Sequence, residues 1–477
     1  MSVRILSRVL RHTARKDDGL GMSEILVAMM VFAVIATTAA YGIINSLTLT
    51  QRSRAGETAM SLASSDLDQM RLLASANDSG VFSILSDPTV ATKTVGGTVY
   101  TIGRAVTWQT TTGAIGACGT GAGTLQYKNV TDTVSWHGAN GATQTVRVSS
   151  AIAPRSNINS DATGTIIVTV IGSVAGQPMP GMKISITPTS GGAALPSAPQ
   201  NTDSAGCSFG LLVTPGTYNV VASTTGGIDF QENATASKST VVVAGQNSVV
   251  NLTYDLAGTF PLTYPTDATV PTNLPVTLSN STLPTGSAKY PAASPTGTPS
   301  VKAFPYSDGY SIFAGSYLNT TAVSSSSCLD TNPATWSTPR ESDGAVGVAP
   351  VAVAAGPGTT AASTAVPLGT LSVANIGSLK GKYVTAVTSS TPGDGDPGCN
   401  AGQTLSFPVI PAGVTSLTLA LPYGTWRLAY GSSSGSTTTA LPAGSVGALA
   451  TISGGVVNSL PDGTTSVTLD PRTVPTP

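Results

Sequence analysis

Residues 17–44 read DDGLGMSEILVAMMVFAVIATTAAYGII. A charged lead and a glycine run into an apolar segment with a lone carboxylate, Glu24, at its threshold. From Ile25 to Gln51 there is no charged side chain, a stretch longer than the roughly 20 residues a helix needs to cross a bilayer. An acid at the edge of such a run is costly unless something uses it. Upstream, Arg4, Arg8, Arg11, Arg15 and Lys16 make the first nineteen residues basic, which favours a cytoplasmic N-terminus and export of the rest. Without those residues the formal charge moves from −1 to −4. A secretory signal would place an apolar core of about 7–15 residues before its cleavage site. Here a polar leader precedes a longer run.

The helix is expected to continue beyond the membrane. Residues 52–76 contain no proline, and Met60, Ala63, Leu67, Met70 and Ala74 recur at steps of three and four. That spacing draws one apolar stripe, with Asp66, Asp68, Gln69 and Arg71 expected on other faces. A helix from Leu20 to about Ser75 would be roughly 80 Å long, with Gly42 and Gly56 as soft points.

The leader, Gly19, the position of Glu24 and the run EILVAMMVFAVIA together resemble the class III leader of type IV prepilins, with the LVAM stretch similar to that of minor pilins. The resemblance covers residues 14–76. It implies cleavage after Gly19 by a prepilin peptidase on the cytoplasmic side and N-methylation of Leu20 by the same enzyme. It also makes Glu24 the fifth mature residue. Leu20 stands where Phe or Met is usual, and Gly21 where Ser or Thr is common. Cleavage after Gly21 would make Glu24 the third residue, and that register is rejected. In a filament of bundled helices, a carboxylate one turn along neutralises the new α-ammonium of an adjoining subunit in a low-dielectric core. The rival reading is a signal anchor with an accidental acid.

Residues 77–155 read as an antiparallel sheet with strands at Gly97–Trp108, Tyr127–Gly138 and Ala142–Ile152. A turn, HGANGAT, joins the last two. Residues 153–164 read as a linker. In 165–256, TIIVTVIGSVAGQPMPGMKISITP, SAGCSFGLLVTPGTYNVVAS and STVVVAGQNSVVNLTYDL supply alternating strands around Gly/Pro turns. Their pattern resembles carboxypeptidase-regulatory-like or prealbumin-like sandwiches, mostly structural or adhesive modules. A related class closes a Lys–Asn isopeptide bond; Lys183 is the candidate here, without the usual assisting acid motif. The last part echoes this module: GTLSVANIGSLKGKYVTAV parallels GTIIVTVIGSVAGQPMPGMKISI, and LTLALPYGTWRLAY parallels FGLLVTPGTYNVVA, in the same order.

The expected fold is therefore α+β: a long N-terminal pilin-type spine helix packed on an antiparallel sheet, then β-sandwich domains. The boundaries are 1–19 leader, 20–155 spine and head, 160–256 sandwich, 257–300 Pro-rich linker, and 301–477 a second sandwich-like domain.

Composition agrees with an exported β-rich chain. Only 9% of the 477 residues are charged, which argues against the basic stripe a nucleic-acid partner needs. Cys118, Cys207, Cys328 and Cys399 form no CxxC pair, so disulfides are expected rather than a zinc site. Three connectivities are open; Cys328–Cys399 is favoured, leaving Cys118 with Cys207. One histidine, His137, follows the leader, and none follows GSSSG at 431–435. A Ser-His-Asp triad is therefore missing a member. DGDPGCN at 394–400 reads as a turn in preference to a calcium loop. Trp108, Trp136, Trp336 and Trp426 read as core residues. No catalytic residue, metal or cofactor is expected.

The expected role is a minor pilin held in the membrane by one span with its N-terminus cytoplasmic, then displayed on the cell surface. Its expected partners are the peptidase and methyltransferase, other pilins through the helix, membrane lipid before assembly, and a surface ligand. A pseudopilin of a type II secretion or DNA-uptake system, or an anchored adhesin that never polymerises, are the alternatives.

Overall fold

The computed structural model describes residues 21–76, 80–113, 115–120, 123–138, 141–155, 158, 160–174, 176–290, 299–319, 327–441, 445, 455–459 and 465–472. The leader with Gly19, and Leu20 beside it, lie outside the described residues. The chain divides into two compact units, residues 1–106 with 128–155, and residues 107–127 with 156–477.

The first unit is built on one helix, α1, Met22–Ala76, of 55 residues, about 80 Å long at 1.5 Å per residue. It runs unbroken through Gly42 and Gly56, where a Cβ would meet nothing within 4 Å. Hydroxyls within the apolar run are satisfied locally. Thr37 Oγ1 donates to the Ala33 carbonyl at 2.8 Å, Thr38 Oγ1 to Val34 at 2.9 Å, and Thr50 Oγ1 to Ser46 at 2.9 Å. Such back-bonding lowers the cost of placing these threonines in lipid.

Beyond a 3-10 turn at Gly80–Ser83 come β1 (Asp87–Val95), β2 (Thr98–Thr110), β3 (Ile115–Gly116), β4 (Leu125–His137) and β5 (Thr143–Ile152). The sheet order is β1-β2-β4-β5, with β3 on β2. Strands β4 and β5 pair antiparallel from Lys128↔Ile152 to His137↔Thr143, closing the hairpin expected at HGANGAT. Ala59 and Ala63 of α1 pack with Tyr100, Ile102, Val134 and Trp136.

The stripe on α1 differs from expectation at one position. Ala63, Leu67 and Ala74 are buried and Met70 is half-buried, but Met60 is 55% exposed and Ala59 takes its place. Alanine at 59 and 63 lets the backbone sit close on the sheet, and a methionine there would hold it off.

From residue 156 on, the second unit begins with a two-sheet sandwich. Its strands are β6 (Gly164–Ile171), β7 (Lys183–Ser190), β8 (Cys207–Val213), β9 (Gly216–Ser223), β10 (Gly227–Asp229), β11 (Ala236–Val242) and β12 (Asn247–Leu256). The sheets are β10-β12-β6-β8 and β11-β9-β7. Ile166, Val168, Ile184, Ile186, Val220 and Leu252 meet in the core between them.

Of residues 257–300, expected as a Pro-rich linker, 257–290 and 299–300 are instead part of the next β-rich body. They carry β13 (Gly258–Thr263), β14 (Val276–Ser279) and β15 (Ser287–Tyr290), and Phe260, Leu262, Leu274, Val276 and Leu278 are buried in its core. Apolar residues at period two outweigh the prolines between them. Pro261 is tolerated on β13, and the Leu262 amide bonds outward to the Pro299 carbonyl at 2.8 Å.

The same body continues through β16 (Ser300–Ala303), β17 (Ser311–Ala314), β18 (Thr364–Ala365), β19 (Gly369–Ala374), β20 (Tyr383–Thr388), β21 (Thr404–Val409), β22 (Ser416–Leu421) and β23 (Gly424–Gly431), and ends with β24 (Thr439–Ala440), β25 (Gly455–Ser459) and β26 (Thr465–Leu469). The internal echo in the sequence is a repeat of pairing. β6 pairs with β8 and β7 with β9, and in the later copy β19 pairs with β22 and β20 with β23, all antiparallel.

Each copy also closes the same corner. Tyr218 Oη donates to the Thr214 carbonyl at 2.8 Å, and Trp426 Nε1 donates to the Pro422 carbonyl at 2.9 Å, both to the fourth residue upstream. Two residues before each aromatic lies a glycine, Gly216 at φ 154° and Gly424 at φ 126°. A Cβ would meet the Gly192 amide nitrogen at 2.4 Å in the first and Asp330 Oδ2 at 2.5 Å in the second, so a larger residue is excluded at both corners.

Candidate functional site

The first half of α1 is the most unusual surface of the chain. Residues 21–47 are all exposed, and Leu26, Met29, Met30, Phe32, Val34 and Ile35 are each more than half exposed. The helix is long and apolar enough to cross a membrane. Exposure of this extent in water would drive association, so the face calls for a bilayer or other apolar helices around it.

Glu24 stands at the start of this face. The Gly21 carbonyl accepts the Glu24 amide at 2.9 Å and the Ile25 amide at 3.3 Å, placing the carboxylate in the first helical turn. A negative charge there is favoured by the helix dipole. The side chain is exposed, and among the described residues no cation pairs with it. An acid held in helical geometry at the end of an apolar surface is available to a positive group supplied by another molecule.

The second half of α1 is fixed to its sheet by charge as well as by packing. Asp66, expected on an outer face, is buried. Arg104 of β2 donates from Nε to Asp66 Oδ2 at 3.0 Å and from Nη2 to the same oxygen. Arg104 Nε also lies 3.5 Å from Asp132 Oδ1 of β4. Asp132 is fully buried and its carboxylate oxygens have no hydrogen-bond partner. Burial first, and then the neighbouring Asp66, push the Asp132 carboxyl up to about 7, against the pull of Arg104. One guanidinium thus faces two carboxylates, an arrangement most stable when the pair holds one proton. Lys128 of β4, also buried, donates from Nζ to the Ile84 carbonyl at 2.7 Å. Sequence periodicity missed Asp66 because its partner lies 38 residues away. The only local signal was its place three residues after Ala63.

The four cysteines form two disulfides, Cys118–Cys207 and Cys328–Cys399, which is the favoured pairing. Cys118–Cys207 ties the Gly-rich loop between β2 and β4 to β8. Cys328 and Cys399 lie near Asp330, but with both sulfurs bonded to each other this group offers no thiolate to a metal.

In the second unit the two sandwiches meet at a charged joint. Glu232, in the turn after β10, adopts a left-handed φ of 68°. Its carboxylate accepts Tyr290 Oη at 2.8 Å, Tyr310 Oη, and the Phe304 amide at 3.0 Å. Burial raises its pKa and these donors partly offset the rise. Tyr306 Oη adds a bond to the Phe230 carbonyl at 2.7 Å. A half-buried acid held by two phenols and an amide favours a fixed joint over a swivel.

The remaining sequence candidates are structural. All four tryptophans are buried. His137 ends β4 in an exposed position, with Thr143 Oγ1 3.5 Å from Nδ1. Ser432 of the GSSSG run accepts Lys382 Nζ at 2.7 Å. In the 394–400 turn, Asp394 takes Arg472 Nη2 at 3.0 Å, whereas Asp396 takes the Thr425 hydroxyl at 2.5 Å and the Gly398 amide at 2.8 Å. The two carboxylates serve different partners. Lys183 of β7 is exposed.

No protein-family model matches the sequence, and no curated protein does. Among solved structures the chain is similar to the Bacillus anthracis TIE protein at 11% identity, with 72% of this chain and 68% of that one covered and a TM-score of 0.19. It is similar to the Bacillus cereus major pilin subunit BcpA at 13% identity, covering 28% of this chain and 40% of that one, TM-score 0.16. It is also similar to a streptococcal ancillary pilin at 8% identity, covering 39% and 63%, TM-score 0.19. Overlap at this level transfers neither fold nor activity, and the functional reading below rests on the chain's own residues.

Proposed function

We propose that this chain is a minor pilin-type subunit of a type IV filament, a structural protein and not an enzyme. Processing after Gly19 and methylation of Leu20 free an α-ammonium beside the exposed apolar face of α1. Glu24 of one copy then neutralises the amine of a neighbour as helices bundle. The head and the two sandwiches are carried outside the filament core. A body of this size is hard to repeat along a tightly packed shaft, so the subunit occupies the tip or sparse positions and presents a surface for assembly priming or adhesion.

One observation carries this reading. Glu24 sits in helical geometry at the head of an exposed apolar stretch, and that same helix runs unbroken onto an antiparallel sheet. An anchored adhesin needs the span but gains nothing from the acid. Purified filaments test the proposal. The subunit is expected at low stoichiometry, and Glu24→Ala is expected to leave it in the membrane and out of filaments. Abundance equal to a major subunit, or normal incorporation of Glu24→Ala, counts against it.

A further inference from the structure

Where α1 leaves the apolar run, it forms a groove with two hairpin tips of the head. The order of contacts shows which end of the sheet this is. Ala59 and Ala63 pack with Tyr100, Ile102 and Trp136, whereas Asp66, further along the helix, meets Arg104 and, through it, Asp132. Moving back along α1 therefore moves toward the β1–β2 turn and the end of β4. The groove at that end is about 780 Å³, within the range of small-ligand sites.

Its chemistry is one-sided. Arg52 and Arg54 line it from α1 and His137 from the end of β4, over a floor of Trp136 and Tyr100, and no carboxylate lines it. Neither arginine is in an ion pair among the described residues. The β1–β2 tip also exposes Val95 and Val99 at 43% and 52%.

The level of the groove along the helix follows from its length. Ile25–Gln51 spans about 40 Å as a helix, which matches a bilayer counted to its headgroups. Arg52 is the first charge beyond it, and Thr58 at the far end of the groove is about 10 Å further. Two guanidiniums, an imidazole, aromatic rings and exposed valines then lie together at the level of the headgroups and just beyond them, where cations meet an anionic surface.

We propose that this groove holds the phosphate of an anionic glycerophospholipid headgroup while the subunit waits in the membrane. Arg52 and Arg54 bind the phosphate, and the β1–β2 tip rests in the interface. The inference rests on the membrane-anchored reading above and adds a lipid class and a site to it. Lipid release then accompanies transfer of the helix into a filament.

Native mass spectrometry of the full chain in nanodiscs tests this. With phosphatidylglycerol and phosphatidylcholine present together, the chain is expected to retain phosphatidylglycerol selectively. Arg52→Gln/Arg54→Gln is expected to weaken retention about 30-fold, the loss expected of two cations at an anionic surface. Arg71→Gln, which removes one charge outside the groove, is expected to change it little. Hydrogen exchange in β2 and β4 checks that each variant head remains folded. Equal retention of the two lipids, undiminished binding by a folded double variant, or displacement by inorganic phosphate alone overturns the proposal. A chain that does not enter nanodiscs at all overturns the anchored reading itself.

Discussion

Asp66 on the spine helix and Arg104 on β2 form a buried ion pair, with Nε 3.0 Å from Oδ2, at the point where the helix is fastened to its sheet. Half of α1 lies open and half is held, and this pair marks the held half. Breaking a buried pair from one side costs about 3–5 kcal/mol where the remaining charge is left alone; Arg104 keeps Asp132 Oδ1 at 3.5 Å, so the loss here is expected at the low end, about 3 kcal/mol. Asp66→Ala is expected to lose that much in urea unfolding followed by fluorescence. A loss under about 1 kcal/mol would mean that the pair is solvated.

Asp132 gives this fastening a pH dependence. Its folded pKa, about 7, is above the ordinary aspartate value of about 3.9. The folded state therefore holds the proton more tightly than the unfolded chain. The resulting stabilisation is fully present below about pH 4 and is lost as pH rises through about 7. Hydrogen-exchange protection of β2 and β4 is expected to fall between pH 5 and pH 8 in the wild type, after correction for intrinsic exchange. Asp132→Asn should flatten that fall. Equal slopes in the two proteins would remove Asp132 as the cause.

The joint between the sandwiches depends on Glu232. Glu232→Ala leaves the Tyr290 hydroxyl and the Phe304 amide without this acceptor, while the Tyr310 hydroxyl keeps the Phe304 carbonyl at 2.8 Å, at a cost of about 1–3 kcal/mol. Limited proteolysis is expected to open the chain near residues 224–234 in the variant and not in the wild type. An unchanged cleavage pattern would show that core packing alone holds the joint.

The corner hydroxyl of Tyr218 gives a sharper test of the repeated architecture. Tyr218→Phe keeps the ring and strands the Ala193 amide and the Thr214 carbonyl, costing about 1–3 kcal/mol. Thermal unfolding of the full chain should show the transition of the first sandwich move down while the body beyond residue 257 melts unchanged. Both shifting together would mean that the two melt as one cooperative block.

Elements whose evidence is local were legible in the sequence. The strands of β2, β4 and β5 fall within two residues of their expected limits because each alternates and is bounded by glycines or small turns. The parallel phrases around TPGTY and LPYGTW identified equivalent strands, since glycine before a buried aromatic is a requirement of the corner itself. Strand β1 was missed because DPTVATKTV at the sheet edge buries no face and so shows no alternation. The 257–300 stretch was misread because proline signals a break locally, while the partners that make Phe260 and Val276 strand residues lie 14 to 41 residues further along. Asp66 and Glu232 were illegible for a related reason: an acid drawn inward is defined by donors that arrive from elsewhere in the chain. In the candidate site, Glu24 was readable from its position before an uncharged run, whereas the groove beside Arg52 needed the hairpin tips in three dimensions.

The N-terminus of the native protein decides the central claim most directly. Intact mass and N-terminal sequencing of protein taken from its own membranes are predicted to give a chain beginning at Leu20 and carrying one methyl group on its amine. A chain beginning at Met1 with an unmodified terminus would contradict the account, because no new ammonium would then exist for Glu24 to meet.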